Sequence, residues 1–190
     1  LRWVPPTARA RAALAGGKNF QKMEEQIRRF RPDLASVLDE ESARQLRRNL
    51  SSLPTRIVSG SDGLTAVATH PQAQMVVAAL VGSVGLLPTL AAVRAGKHIA
   101  IANKECLICA GSVMMAEIRR SGATLLPVDS EHSAIFQVLD FDQPERIDRI
   151  ILTASGGPFR QTARADMALV TPAQAMAHPN WDMGAKISVD

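Results

Sequence analysis

Between Gly16 and Pro127, short apolar runs alternate with amphipathic stretches of helical period, and this rhythm constrains the fold more than any other feature. Met23, Ile27 and Phe30 recur at helical spacing, which predicts a helix over residues 20–30. Residues 34–38 predict a short strand. Asp39-Glu40-Glu41-Ser42 sets acids where the positive end of a helix dipole favours them, so the next helix is expected to run to about Leu50. Arg56-Ile57-Val58 predicts a strand and residues 60–70 a helix. Residues 74–81 form a continuous apolar run, as expected of a strand buried on both faces of a parallel sheet. A helix over residues 86–95 closed by Gly96, a strand over 98–102 and a helix over 105–120 ending at Gly122 complete the series. Alternation of this kind predicts a parallel α/β sheet with right-handed crossovers.

Beyond residue 127 the texture changes. Residues 147–153 predict a strong strand, followed by Ser155-Gly156-Gly157-Pro158. Residues 161–185 are rich in polar residues, Pro and Met and predict a loop with a short helix. Ile187-Ser188-Val189-Asp190 reads as part of a strand.

Composition narrows the function. Lys and Arg number 22 against 18 Asp and Glu, a scattered excess of +4 that suits an anionic small molecule as well as nucleic acid. Aromatic residues make up 4% with no Tyr, so stacking platforms for nucleic acid are scarce and none is expected as a partner. No apolar run reaches the ~18 residues that span a bilayer; residues 75–87 are broken by Gly82, Ser83 and Gly85. The first residues lack the apolar core of a signal peptide. Cys106 and Cys109 read as two reduced thiols on a helix, and a cytoplasmic, bacterial setting is expected.

Four motifs sit where strands end, which is where ligands bind in α/β sheets. Asp129 and Glu131, in Pro127-Val128-Asp129-Ser130-Glu131-His132, would share one face of an extended segment and suit Mg²⁺ or Mn²⁺. The bland alternative is a pair of acids capping the helix that starts near Glu131. In Ala102-Asn103-Lys104-Glu105, a lysine can meet an anionic or carbonyl oxygen, and Asn103 can contact a ligand or simply cap a helix. Ser155-Gly156-Gly157 can cradle a phosphate or form a plain turn. Gly17-Lys18-Asn19 ends a strand where basic residues accept the 2′-phosphate of NADP, although no G-x-G-x-x-G precedes it. Trp181 and Met183, beside His178, lie on a stretch that can close over a ligand or tuck into a core.

Taken in order, Ala102 to Glu105, residues 127–137 (PVDSEHSAIFQ), 155–160 (SGGPFR) and 178–190 (HPNWDMGAKISVD) resemble the 1-deoxy-D-xylulose-5-phosphate reductoisomerase family. Gly17-Lys18-Asn19 and residues 84–92 also fit, so the resemblance covers about residues 14–190. It implies NADPH- and divalent-metal-dependent rearrangement and reduction of a phosphorylated sugar, 1-deoxy-D-xylulose 5-phosphate, to 2-C-methyl-D-erythritol 4-phosphate for isoprenoid synthesis. It implies Asp129 and Glu131 as metal ligands, and Lys104, Glu131 and His178 as catalytic residues. Lys104, Ser130, Glu131, Ser155, His178, Trp181 and Met183 would touch substrate. Gly17, Lys18, Asn19, Asn103, Glu105 and Gly184 would touch NADPH. The whole enzyme would be a homodimer.

The chain also departs from the family. Residues 1–13 match nothing of the family's Gly-rich first-strand loop, and its later phosphate-binding pair and third metal-binding carboxylate are absent. The expected architecture is α/β: an incomplete Rossmann-like parallel sheet with helices on both faces over residues 1–127, with 1–13 atypical. The start of an α+β catalytic domain follows over 128–190. The 190 residues alone are expected to be inactive. Two rivals are a metal-independent NADP oxidoreductase and a non-catalytic remnant with residual nucleotide binding.

Overall fold

The computed structural model describes residues 12–153 and 156–180. Contacts divide the chain into two compact units, Leu1–Ser133 and Ala134–Asp190.

In the first unit, β1 (Ala13–Ala15), β2 (Leu34–Val37) and β3 (Arg56–Ser59) form a parallel sheet in the order β1-β2-β3. The helix α1 (Phe20–Phe30) begins where Asn19 Oδ1 accepts the Lys22 N–H at 2.9 Å. It stops at Arg31, which takes a left-handed φ of 46° just before Pro32. Asp39 caps α2 (Glu40–Asn49) in the same way, accepting from Ser42 N at 2.8 Å. Both helices cover one face of the sheet, where Met23, Ile27, Ala35, Val37, Leu46 and Ile57 close a core. Burying each large aliphatic side chain there contributes about 1.5–3 kcal/mol.

The opposite face of β2 and β3 takes α3 (Gly60–Ala68). A Cβ on Gly63 would lie 2.6 Å from Ser36 Oγ and 3.0 Å from Val58 Cγ2, so glycine sets how closely α3 approaches. Helices therefore cover both faces of this sheet.

A second parallel sheet holds β4 (Met75–Ala78), β5 (His98–Ile101) and β6 (Thr124–Pro127) in the order β4-β5-β6. The helices α4 (Leu86–Arg94) and α5 (Glu105–Ser121) pack on it around Val93, Ile99, Ile101, Cys106 and Met114. Gly122, at φ 71°, ends α5 in the left-handed region, as its position after the last apolar residue predicts. The α5 backbone breaks helical geometry at Ala110 (φ −145°, ψ 32°), next to Gly111, an interruption the sequence reading did not anticipate.

The strands expected in one sheet thus hydrogen-bond as two sheets of three. The run over residues 74–81 yields a shorter strand than expected, and it is not buried on both faces: Met75 is 49% and Val77 66% exposed. The reason is positional, since among the described residues β4 pairs with β5 alone.

The helix α6 (Ser130–Val138) follows β6. The second unit holds 3₁₀ segments at Pro144–Arg146 and Arg164–Leu169, and α7 (Pro172–Met176). Thr171 and Gln174 form a capping box at the start of α7, the short helix expected in this stretch. The strand expected over residues 147–153 does not form. Ile150, Ile151 and Leu152 are exposed, and no described segment offers a ladder; an apolar run becomes a strand only when another strand satisfies its backbone. The expectation at residues 187–190 lies outside the described residues.

Candidate functional site

The register of β5 against β6 pairs Ile101 with Pro127, so the two chains leave the sheet side by side at their carboxyl ends. Three residues past Ile101 stands Lys104, and two past Pro127 stands Asp129. Their side chains meet, with Lys104 Nζ 3.3 Å from Asp129 Oδ2. Asp129 Oδ1 faces His132 Nδ1 at 3.2 Å and accepts the His132 N–H at 3.4 Å. Asp129 O accepts the Ser133 N–H at 2.8 Å. Asp129 therefore caps the start of α6 and faces a lysine at once.

Electrostatics follow from this packing. Partial burial pushes the Asp129 carboxyl up, but hydrogen bonds from the His132 N–H, the Glu131 carboxyl and Lys104 outweigh it and leave it below the usual range. The Lys104 ammonium is raised, chiefly by its hydrogen bond to Asp129, with Glu131 and Glu105 adding attraction. Glu131 opens α6 two residues after Asp129 and helps hold the Asp129 carboxyl low, so the two acids adjoin at this helix start. Among the described residues no group of three His, Cys, Asp or Glu side chains gathers at metal-ligand spacing. The two carboxylates thus fit part of a divalent-cation site. Ser130 is exposed at the first turn of α6, and Glu105 opens α5 beside Lys104.

Asn103 is 3% exposed and fully engaged. Its amide donates to Leu80 O and, at 2.9 Å, to Gly82 O, while its Oδ1 accepts the Cys106 N–H at 3.0 Å. It pins the loop after β4 to the start of α5, so the cap alternative describes what its side chain does here.

Gly17, Lys18 and Asn19 lie together at the carboxyl end of β1. Asn19 caps α1, Gly17 O accepts the Leu38 N–H at 3.4 Å, and Lys18 is exposed. Asp39, at the end of β2, is held low chiefly by hydrogen bonds from Ser42, with Lys18 adding attraction. A carboxylate therefore stands near Lys18. Sequence reasoning saw Asp39 only as a helix start, because its proximity to Lys18 depends on β1 pairing with β2. His132 was also missed as a partner of Asp129, although an i, i+3 spacing at a helix start was a signal for it.

In the second unit, Gly156 (φ 78°) and Gly157 (φ 58°) both take left-handed conformations, and a Cβ on Gly156 would collide with the Arg160 side chain. The backbone thus packs against the aliphatic stem of Arg160, and two consecutive left-handed glycines give a concave main chain of the kind that can hold an anion. His178 follows α7, its Nδ1 accepting the Asn180 N–H at 3.1 Å. Ser155, Trp181, Met183 and Gly184 lie outside the described residues.

Sequence comparison assigns residues 7–111 to 1-deoxy-D-xylulose 5-phosphate reductoisomerase and residues 125–190 to the C-terminal domain of the same family. The chain belongs to the 1-deoxy-D-xylulose 5-phosphate reductoisomerase family. The reductoisomerase of Haemophilus ducreyi is 50% identical over 190 residues, covering 94% of this chain and 48% of the relative. That of Rhodospirillum centenum is 53% identical over 178 residues, covering 94% and 44%. The chain spans about half the length of the curated relatives it matches. A reductoisomerase structure from Zymomonas mobilis in complex with NADPH superposes with a TM-score of 0.81 at 42% identity, over 88% of this chain and 44% of that one. A second reductoisomerase structure, in complex with NADPH, fosmidomycin and magnesium, gives a TM-score of 0.84 at 38% identity, over 93% and 46%. The match begins at residue 7, upstream of the motifs that start at residue 14.

Proposed function

We propose that this chain carries part of the site that rearranges and reduces 1-deoxy-D-xylulose 5-phosphate to 2-C-methyl-D-erythritol 4-phosphate, with NADPH as hydride donor. The observation that carries this reading is the Lys104–Asp129–Glu131 cluster at the adjoining ends of β5 and β6. Related reductoisomerases have structures with NADPH and with magnesium bound.

Asp129 and Glu131 would hold Mg²⁺ or Mn²⁺, which polarises adjacent substrate oxygens when bound. Lys104 keeps a full positive charge beside them and orients an oxygen of the substrate. Glu131 and His178 complete the catalytic set, and Ser130, Ser155, Trp181 and Met183 line the substrate. The Gly156-Gly157 curl over Arg160 supports phosphate binding nearby in sequence to Ser155. Gly17, Lys18 and Asn19 receive the 2′-phosphate end of NADPH, with Asn103, Glu105 and Gly184 as further cofactor contacts. In this reading residues 1–127 bind cofactor and residues 128–190 begin the catalytic domain. The whole enzyme works as a homodimer in the bacterial cytoplasm. No described helix is long and apolar enough to cross a membrane.

Metal binding tests the reading directly. Mn²⁺ titration followed by electron paramagnetic resonance should show binding to the 190-residue chain that weakens at least ~10-fold in Asp129→Asn and in Glu131→Gln, because hard-cation affinity tracks ligand charge. NADPH affinity should be nearly unchanged in both. Unaltered Mn²⁺ affinity in the two variants overturns the assignment. The chain alone should show no substrate-dependent NADPH oxidation near the usual 1–10³ s⁻¹ range.

A further inference from the structure

The strand-end cluster uses neither of the chain's two cysteines, which lie three apart at the start of α5. Cys106 is fully buried. Its backbone N–H donates to Asn103 Oδ1 at 3.0 Å, and its side chain hydrogen-bonds with Thr89 of α4. Burial pushes the Cys106 thiol up, and the nearness of Glu105 and Cys109 adds to the shift, so the second thiol is a close neighbour of the first. Cys109 itself is exposed.

The turn that carries both thiols is short and loosely bounded. Lys104 precedes it without a side-chain cap bond. Lys104 O accepts the N–H groups of both Leu107 and Ile108 at 3.0 Å, a pattern shared between 3₁₀ and α geometry. Directly after Cys109, Ala110 leaves helical geometry, and a Cβ on Gly111 would meet nothing within 4 Å. The turn from Glu105 to Cys109 can therefore change shape without moving the rest of α5. Cβ atoms three apart on a helix lie ~5–6 Å apart and a disulfide needs ~3.5–4.5 Å, so about 1–2 Å has to close. A turn poised between two hydrogen-bond patterns, with a break at its end, can yield that much. The residual strain leaves the bond easily reduced.

We propose that Cys106 and Cys109 form a reversible thiol–disulfide pair that exchanges with small-molecule disulfides. The exposed Cys109 thiolate attacks one sulfur of the small disulfide, forming a mixed disulfide and expelling one thiolate. The Cys106 thiolate then attacks Cys109 Sγ, forming the internal bond and expelling the second thiolate. The two protein thiols lose two electrons, the small disulfide is reduced to two thiols, and the protons given up by the cysteines end on those thiols. Cys106 reacts second because burial shields it from solvent, while the Cys109 sulfur lies beside it. The closed bond constrains the turn directly after Asn103 and Lys104.

Mass spectrometry with thiol alkylation on the 190-residue chain tests this, with oxidised glutathione as the small disulfide and no denaturant present. Wild type should lose two hydrogens, keep no alkylatable thiol, and return to two thiols in millimolar reduced glutathione. Cys106→Ser should stop at a mixed disulfide between Cys109 and glutathione. Cys109→Ser should react at least ~10-fold more slowly than wild type, because its remaining thiol is buried. A lasting mixed disulfide on wild-type Cys109, two thiols that persist, or cross-linking between chains overturns the proposal. So does equally fast reaction of Cys109→Ser, closure that occurs only in urea, or a bond that reduced glutathione does not open.

Discussion

Replacing Asn103 by alanine should loosen the seam between the loop after β4 and the start of α5. The side chain makes three hydrogen bonds, to Leu80 O, Gly82 O and Cys106 N. A typical bond contributes about 0.5–1.5 kcal/mol net, and a buried group left unpaired costs about 1–3 kcal/mol. Leu80 and Gly82 are half-buried, so water can reach their carbonyls once the amide is gone. Cys106 is fully buried, and its N–H would stay dry. The sum is at least about 2 kcal/mol for opening this region, which at 1.4 kcal/mol per decade is at least roughly 25-fold in the opening equilibrium. Thiol labelling reads that equilibrium locally. Cys109 is exposed and labels first; Cys106 is buried, and burial pushes its thiol up, so it labels only on opening. The slow labelling phase should accelerate in Asn103→Ala by that factor while the fast phase stays the same. An unchanged slow phase would refute the view that Asn103 clamps the seam.

Three further outcomes are expected. Glu40 is held down to about 2 by Arg47 and Ser59, below its ordinary 4.5, so its stabilising contribution is full above pH ~4.5 and fades as pH falls towards 2. Acid titrations followed by circular dichroism should accordingly show wild type and Glu40→Gln converging at low pH and diverging above it. Gly63→Val should cost about 1–3 kcal/mol in urea unfolding because α3 cannot retreat from Ser36 and Val58, whereas a Cβ on Gly111 meets nothing and Gly111→Ala should cost little. In a full-length enzyme carrying these residues, Lys18→Ala should weaken NADPH binding about 5- to 150-fold, the worth of a charge-assisted bond, and leave NADH binding almost unchanged; equal effects on both cofactors in fluorescence titrations would remove Lys18 from the 2′-phosphate.

Local signals carried most of the fold. Asn19 before an i, i+4, i+7 set of apolar residues marked α1 to its observed ends, and Asp39 did the same for the start of α2. What failed depended on neighbours. Residues 74–81 and 147–153 have the composition of strands, but burial and pairing belong to the partner strand as much as to the run itself. The same holds at the site. Asp129 and Lys104 were legible as separate motifs at strand ends, while their 3.3 Å contact follows from the β5–β6 register, which no short window encodes. Asp39 beside Lys18 was hidden for the same reason, since it needs β1 against β2.

The two cores of the first unit have a consequence for synthesis. Each sheet is assembled from strands that are consecutive in the chain, β1-β2-β3 and then β4-β5-β6, with the connecting helices closing each core. Paired strands are neighbours in chain order, so each pairing closes a single crossover and the loss of loop entropy stays modest. Residues 12–59 therefore hold a complete set of partners for the first core before any residue of β4 has left the ribosome. The nascent chain can bury Ile27, Val37 and Leu46 early, and the second core then condenses against a surface, α3, that its predecessor has already ordered.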